Sequence, residues 1–224
     1  MGTKFDTYCG LSCEGFEFKE SMNCGGCIAT EGNPFHGKCK VAECAKSKNR
    51  RFCGECGDFP CDLLKKYSYD AEHGDNGARI ENCKRIKTEL VAEARVGLNP
   101  LGVCGFSCDH CFMGEWCGGC RSNYNCCSYG TLFEGNICPN VSCAAQKGLE
   151  GCYQCDELDG CKKGYYSIET EHDAKASALF IREYGPEKSR QALKNSIKKA
   201  ADGEDTLKKA ESVEAAFAIL KENL

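Results

Sequence analysis

The chain has 224 residues, 22 of them cysteine, and a formal net charge of −4. Its basic residues gather only in the short runs "KSKNRR" (Lys46 to Arg51) and "KRIK" (Lys84 to Lys87). These read as solvated surface and argue against a nucleic-acid binder, which should show a basic footprint. No window approaches about 18 uninterrupted apolar residues, so no membrane-spanning helix is expected. The N-terminus "MGTKFDTYCGLSC" shows no basic n-region followed by an apolar h-region, so the expectation is a cytosolic chain. In reducing cytosol, clustered cysteines bind metal or do redox chemistry more often than they form a disulfide scaffold.

In chain order, "YCGLSC" opens the chain with Cys9-x3-Cys13, and "NCGGC" follows with Cys24-x2-Cys27. Next come Cys39-x4-Cys44, "CGECG" with Cys53-x2-Cys56, and Cys61. These segments are rich in Gly, Asn, Ser and Asp, and read as turns, loops and short hairpins. From Asn76 to Ala94 the residues Ile80, Cys83, Ile86, Leu90 and Ala94 recur at helical spacing, with Asp75 or Asn76 as the cap. "GLNPLG" (Gly97 to Gly102) is a turn-forming connector.

The pattern then repeats. Cys104-x3-Cys108, Cys117-x2-Cys120, Cys138-x4-Cys143, Cys152-x2-Cys155 and Cys161 match nine cysteines of the first half in the same order, at offsets of 93 to 100. Such self-similarity marks a tandem duplication. The last sixty or so residues lack cysteine and read as helical, with Ala174, Ala178 and Ile181 on one stripe between His172 and Tyr184. Gly185 stops that helix, and Pro186 sits in the first turn of the next. Asp205 or Thr206 is expected to cap a last helix through Leu207, Ala210, Val213, Phe217 and Leu220. The expected domains are residues 1–96 (cysteine-rich repeat with a C-terminal helix), 103–163 (second repeat) and 164–224 (helical extension). The expected fold class is a small, loop-rich, metal-stabilised α+β architecture.

A C-x2-C pair grips one tetrahedral metal when the chain turns tightly between the sulfurs, and glycine supplies that turn. Two sites per repeat are expected. The first uses Cys9, Cys13, Cys24 and Cys27, matched by Cys104, Cys108, Cys117 and Cys120. The second draws on Cys39, Cys44, Cys53, Cys56 and Cys61, matched by Cys138, Cys143, Cys152, Cys155 and Cys161. That is five candidates for four places, so one is a bystander or the sites interleave. Structural Zn²⁺ is the reading taken, with an iron–sulfur cluster for electron transfer or redox sensing as the alternative. Such a zinc protein would present a surface to a partner protein.

A third reading is a metalloenzyme centred on the second repeat. There Cys104, Cys108 and Cys111 have the C-x3-C-x2-C spacing of radical-SAM enzymes, but the alternating strands and helices of their barrel are missing. The first repeat carries Phe16 where the second has Cys111, and Cys126 and Cys127 also lack counterparts. A thioredoxin-like use of "CGGC" lacks the flanking strand and helix. His73 and His172 sit at matching places and read as helix-start residues rather than ligands; His36 and His110 are weaker candidates.

Taken together, "YCGLSC", "NCGGC", "GKCKVAECA", "FCGECGDFPCDLL" and "EHGDNGARIENCKRIK" resemble a cysteine-rich prokaryotic family of unknown function, numbered 3795. The first repeat resembles it over nearly its whole length. The second keeps the cysteine frame but has "DELDGC" in place of "DFPC". The resemblance implies a small metal-binding domain and brings no activity with it.

Overall fold

The computed structural model describes residues 3–14, 17–111, 113–199 and 207–224. Among these lie eight α-helices: α1 (Glu17–Ser21), α2 (Lys40–Ser47), α3 (Asp62–Ser68), α4 (Ala78–Arg95), α5 (Pro139–Gln146), α6 (Asp173–Tyr184), α7 (Pro186–Lys199) and α8 (Val213–Glu222). Short 3₁₀ turns connect them. The α+β expectation is corrected: among the described residues there is no strand or sheet, and the extended pairing is a single antiparallel bridge, Leu101 to Ser107. The reason is local. Left-handed residues such as Asn23, Glu31, Asn49, Gly26 and Gly37 interrupt the segments between cysteines. Their backbone bonds close turns within three to five residues, for example Thr30 N–H to Gly26 O at 3.0 Å. A strand needs a longer uninterrupted run.

The chain divides into two compact units, Met1–Glu93 and Ala94–Leu224. In the first, Ile80, Cys83 and Ile86 of α4 pack against Cys9, Val41, Phe52, Cys53 and Leu64, with Leu90 at the margin. Phe52 and Leu64 are wholly buried; burying one such side chain contributes about 1.5–3 kcal/mol. Asp75 caps α4 by accepting the Arg79 N–H at 3.1 Å. It also accepts from the Arg79 guanidinium at 2.6 Å and from the Ser68 hydroxyl at 2.6 Å.

The second unit has two cores that share α6. Ala174 and Ala178 pack with Val103, Cys152, Leu158 and Tyr166. Ala176 and Phe180 pack with Ala192 and Leu193 of α7, Ala216 and Leu220 of α8, and Leu207. Alanine suits both faces, since it lets neighbouring backbones approach. Gly185, at φ +87°, ends α6, and Pro186 opens α7. The cap expected at Asp205 or Thr206 lies outside the described residues. Leu207 falls in a turn, and α8 starts later, where the Ser212 hydroxyl accepts the Ala215 N–H at 3.0 Å. Leu207 and Ala210 still join the helical core.

Local geometry recurs between the units. Cys39 and Cys138 are N-cap residues of the eight-residue helices α2 and α5. The Cys53 N–H donates to Tyr8 O at 2.7 Å, and the Cys152 N–H donates to Val103 O at 2.7 Å. Each bond pins the second C-x2-C turn to the carbonyl just before the first cysteine of its unit. The next residue, Gly10 or Gly105, has φ of +85° or +90°. A methyl at Gly10 would lie 2.4 Å from Arg79 O, and one at Gly105 would lie 2.7 Å from Ala178. Glycine is required there by both conformation and space.

Candidate metal centres

Cys44 of α2, Cys53 of the turn Cys53–Glu55 with Cys56 just after it, and Cys61 at the N-cap of α3 line one hole of about 20 Å³. That is room for about one water-sized sphere. In the second unit, Cys143 of α5, Cys152 of the turn Cys152–Gln154 with Cys155 just after it, and Cys161 line a hole of the same size. Lysines reach these sulfurs. Lys48 Nζ lies 3.7 Å from Cys56 Sγ and 2.6 Å from Asp58. Lys147 Nζ lies 3.4 Å from Cys155 Sγ, and Lys163 Nζ 3.5 Å from Cys143 Sγ. Lysine can only donate, so the sulfurs are the acceptors in these contacts.

The hole excludes Cys39 and Cys138. They stand five residues before Cys44 and Cys143 on the same helix, which on helical geometry is about 140° round and about 7.5 Å along. They face other cysteines instead. Burial, and then the neighbouring Cys9, Cys39, Cys13 and Cys24, push the Cys27 thiol up to about 12. Burial, and then Asp6, also raises Cys13. In the first unit Cys9, Cys13, Cys24, Cys27 and Cys39 therefore lie near one another, and Cys9 also packs with Cys53 of the four-cysteine hole.

The matching neighbourhood of the second unit is larger. Cys104, Cys108, Cys111 and Cys117 line a cavity of about 540 Å³ together with Cys120, Cys127 and Cys138. The Cys127 thiol bridges Cys120 and Cys138, lowering both, while Cys127 itself is raised. Cys117 Sγ accepts the Gly119 N–H at 3.4 Å and the Ser128 N–H at 3.1 Å. Desolvation is the largest cause of the raised Cys108 thiol, which lies near 12, and of the raised Cys104 thiol. Burying thiolates without a cation is unfavourable, and a bound cation would reverse the direction.

Asn140, one residue into α5 from its Pro139, lines both cavities of the second unit. Its Oδ1 accepts the Tyr165 N–H at 2.7 Å. Its Nδ2 donates to Lys163 O at 3.2 Å and to Cys152 Sγ at 3.7 Å.

All 22 cysteines are free thiols. Among the described residues no three ligand-type side chains stand arranged to hold a metal as they are, so the sulfurs line their holes rather than converge on a point. None of the histidines lines these three cavities. His73 is exposed, His36 meets Phe35 edge-on, His110 ends a 3₁₀ turn and His172 is the N-cap residue of α6. Phe16 lies outside the described residues. Sequence reasoning passed over Lys48 and Lys147, although they recur at the same offset as Cys56 and Cys155. It also passed over Asn140, for which the sequence carries no signal.

Among the described residues no helix is long and apolar enough to cross a membrane. The described residues, helical and rich in free thiols, define a cysteine-rich helical protein. Residues 14–66 match the model of the family described as "Protein of unknown function (DUF3795)". That span holds Cys24 to Cys61 and ends before Cys104. No curated protein and no solved structure matches the chain.

Proposed function

We propose that this is a metal-binding protein in which zinc ions held by cysteine thiolates stabilise two loop-rich units. One observation carries the reading. Equivalent cysteines of each unit, Cys44, Cys53, Cys56 and Cys61 or Cys143, Cys152, Cys155 and Cys161, surround a hole of one-ion size with a lysine on the sulfurs. Four thiolates fill the closed shell of structural zinc, and the lysines offset part of its charge of about −2. The donors are soft and leave no place for a hard cation such as Mg²⁺ or Ca²⁺. The metal would act in folding, because such segments bury too little apolar surface to hold themselves.

This role fits a cytosolic protein that presents a surface to a partner protein. The aromatic and aliphatic side chains of Phe18, Met22, Ile28 and Phe35 are exposed around the Cys24-x2-Cys27 turn, and Phe18 stacks on Phe35 at 5.5 Å. The test is metal analysis of protein purified without oxygen, read beside a zinc-chelator titration. Zinc at one ion per four-cysteine hole, with loss of helix on chelation, supports the reading. A protein that stays folded and metal-free refutes it.

A further inference from the structure

The two four-cysteine holes and the large cavity of the second unit differ in kind. The holes admit about one ion each, at about 20 Å³. The large cavity measures about 540 Å³ and carries seven cysteines. A tetrahedral zinc ion uses four thiolates and closes around them. Most of the space would then be left over. A volume of this order is that of a cofactor or small-molecule site.

The sulfurs that face this space are preorganised. Cys127 touches both Cys120 and Cys138. Next to it, the Ser128 N–H donates to Cys117 Sγ, which also accepts from Gly119. Backbone N–H donors of this kind stabilise sulfur anions and tune iron–sulfur centres. Phe106, Met113, Val141 and Ile168 add apolar surface to the wall. The first unit has no counterpart of Cys111, Cys126 or Cys127, so this site is a specialisation of the second repeat.

We propose that this cavity holds a polynuclear iron–sulfur cluster, with its ligands drawn from Cys117, Cys120, Cys127 and Cys138, while the two small holes hold zinc. The assignment rests on the reading above that clustered thiols bind metal, but the two can fail separately. Protein made in iron-supplemented cells and purified without oxygen is analysed for zinc, iron and acid-labile sulfide. Absorption spectra are taken before and after reduction with dithionite. The expected wild type contains iron and sulfide beside zinc, and its visible absorption fades on reduction. The double variant Cys117→Ser, Cys127→Ser should drop sulfide to background while keeping zinc and helix content. Ile168→Trp removes no sulfur but fills the space, and should do the same. Zinc without sulfide in the wild type overturns the cluster and leaves the zinc reading standing. Sulfide that survives in both variants also overturns it. Sulfide lost in the variants from a wild type that lacks zinc sustains the cluster and refutes the zinc holes.

Discussion

Asn140→Val should loosen the second unit without touching a cysteine. Position 140 corresponds to Val41 of the first unit, which is buried in an apolar core, so the change asks what the amide does. Asn140 is 1 % exposed. Valine would leave the Tyr165 N–H without its 2.7 Å acceptor and Lys163 O without its 3.2 Å donor. A buried group left unsatisfied costs about 1–3 kcal/mol. The Tyr165 amide should cost near the middle of that range, about 2 kcal/mol. Lys163 is exposed, so water can serve its carbonyl, and about 0.5 kcal/mol is enough for it. The lost contact to Cys152 Sγ adds a few tenths, and burying apolar in place of polar atoms returns about 0.5–1 kcal/mol. The net is about 2 kcal/mol, or roughly 5–8 °C in Tm for a unit of this size. Trp116 is the one tryptophan of the chain and lies in the second unit, so its fluorescence reports that unit alone. Urea unfolding of the metal-saturated protein, followed at Trp116, measures the change. A variant within about 0.5 kcal/mol of wild type would show that these hydrogen bonds do not tie α5 to the Lys163–Tyr165 loop.

Other expectations concern metal, backbone and pH. Cys53→Ser and Cys152→Ser should each remove the zinc of its own hole and unfold its own unit, seen as one fewer zinc per chain and a partial loss of helix; unchanged melting would refute the four-cysteine holes. Lys147→Met should weaken zinc binding roughly tenfold, the lower end of what an outer partner of a ligand contributes, measured by competition with a chromophoric chelator. Gly10→Ala places a methyl 2.4 Å from Arg79 O and 2.5 Å from Cys83 Sγ at φ +85°. It should destabilise by more than about 2 kcal/mol in a thermal melt.

The pH expectation turns on Asp75. Burial by itself would raise the Asp75 carboxyl, but hydrogen bonds from Ser68 and Arg79 outweigh it and hold the group below its ordinary 3.8. The folded form therefore favours the carboxylate. Its stabilisation is present above that value and drains as pH falls through the lower folded value, where the unfolded chain binds more protons. Asp75→Asn should reduce stability at neutral pH and flatten the acid limb of unfolding curves between about pH 5 and 2.

Much of the local structure was legible because it depends on neighbours in the chain. The apolar stripe of Ile80, Cys83 and Ile86 became the buried face of α4, and Gly185-Pro186 ended one helix and began the next. The start of α8 was misplaced because Leu207 and Ala210 keep helical spacing and pack into the core from outside the helix, while Ser212 supplies the cap. The expected hairpins did not form, because loops rich in glycine and asparagine close tight turns on themselves before they can pair.

Sequence alone determined the two sulfur-bearing frames, their C-x2-C spacings and the helices α4, α6 and α7, since each is decided within a few residues; α1, α2, α3 and α5 fall in segments that read as loops. Only the folded chain decided which sulfurs share a hole. Cys39 and Cys44 lie close in sequence, yet one helix turns them to different sides, and Cys127 meets Cys120 and Cys138 through backbone that no spacing encodes. Those groupings follow from how helices pack against one another, and packing is settled by contacts between residues far apart in the chain.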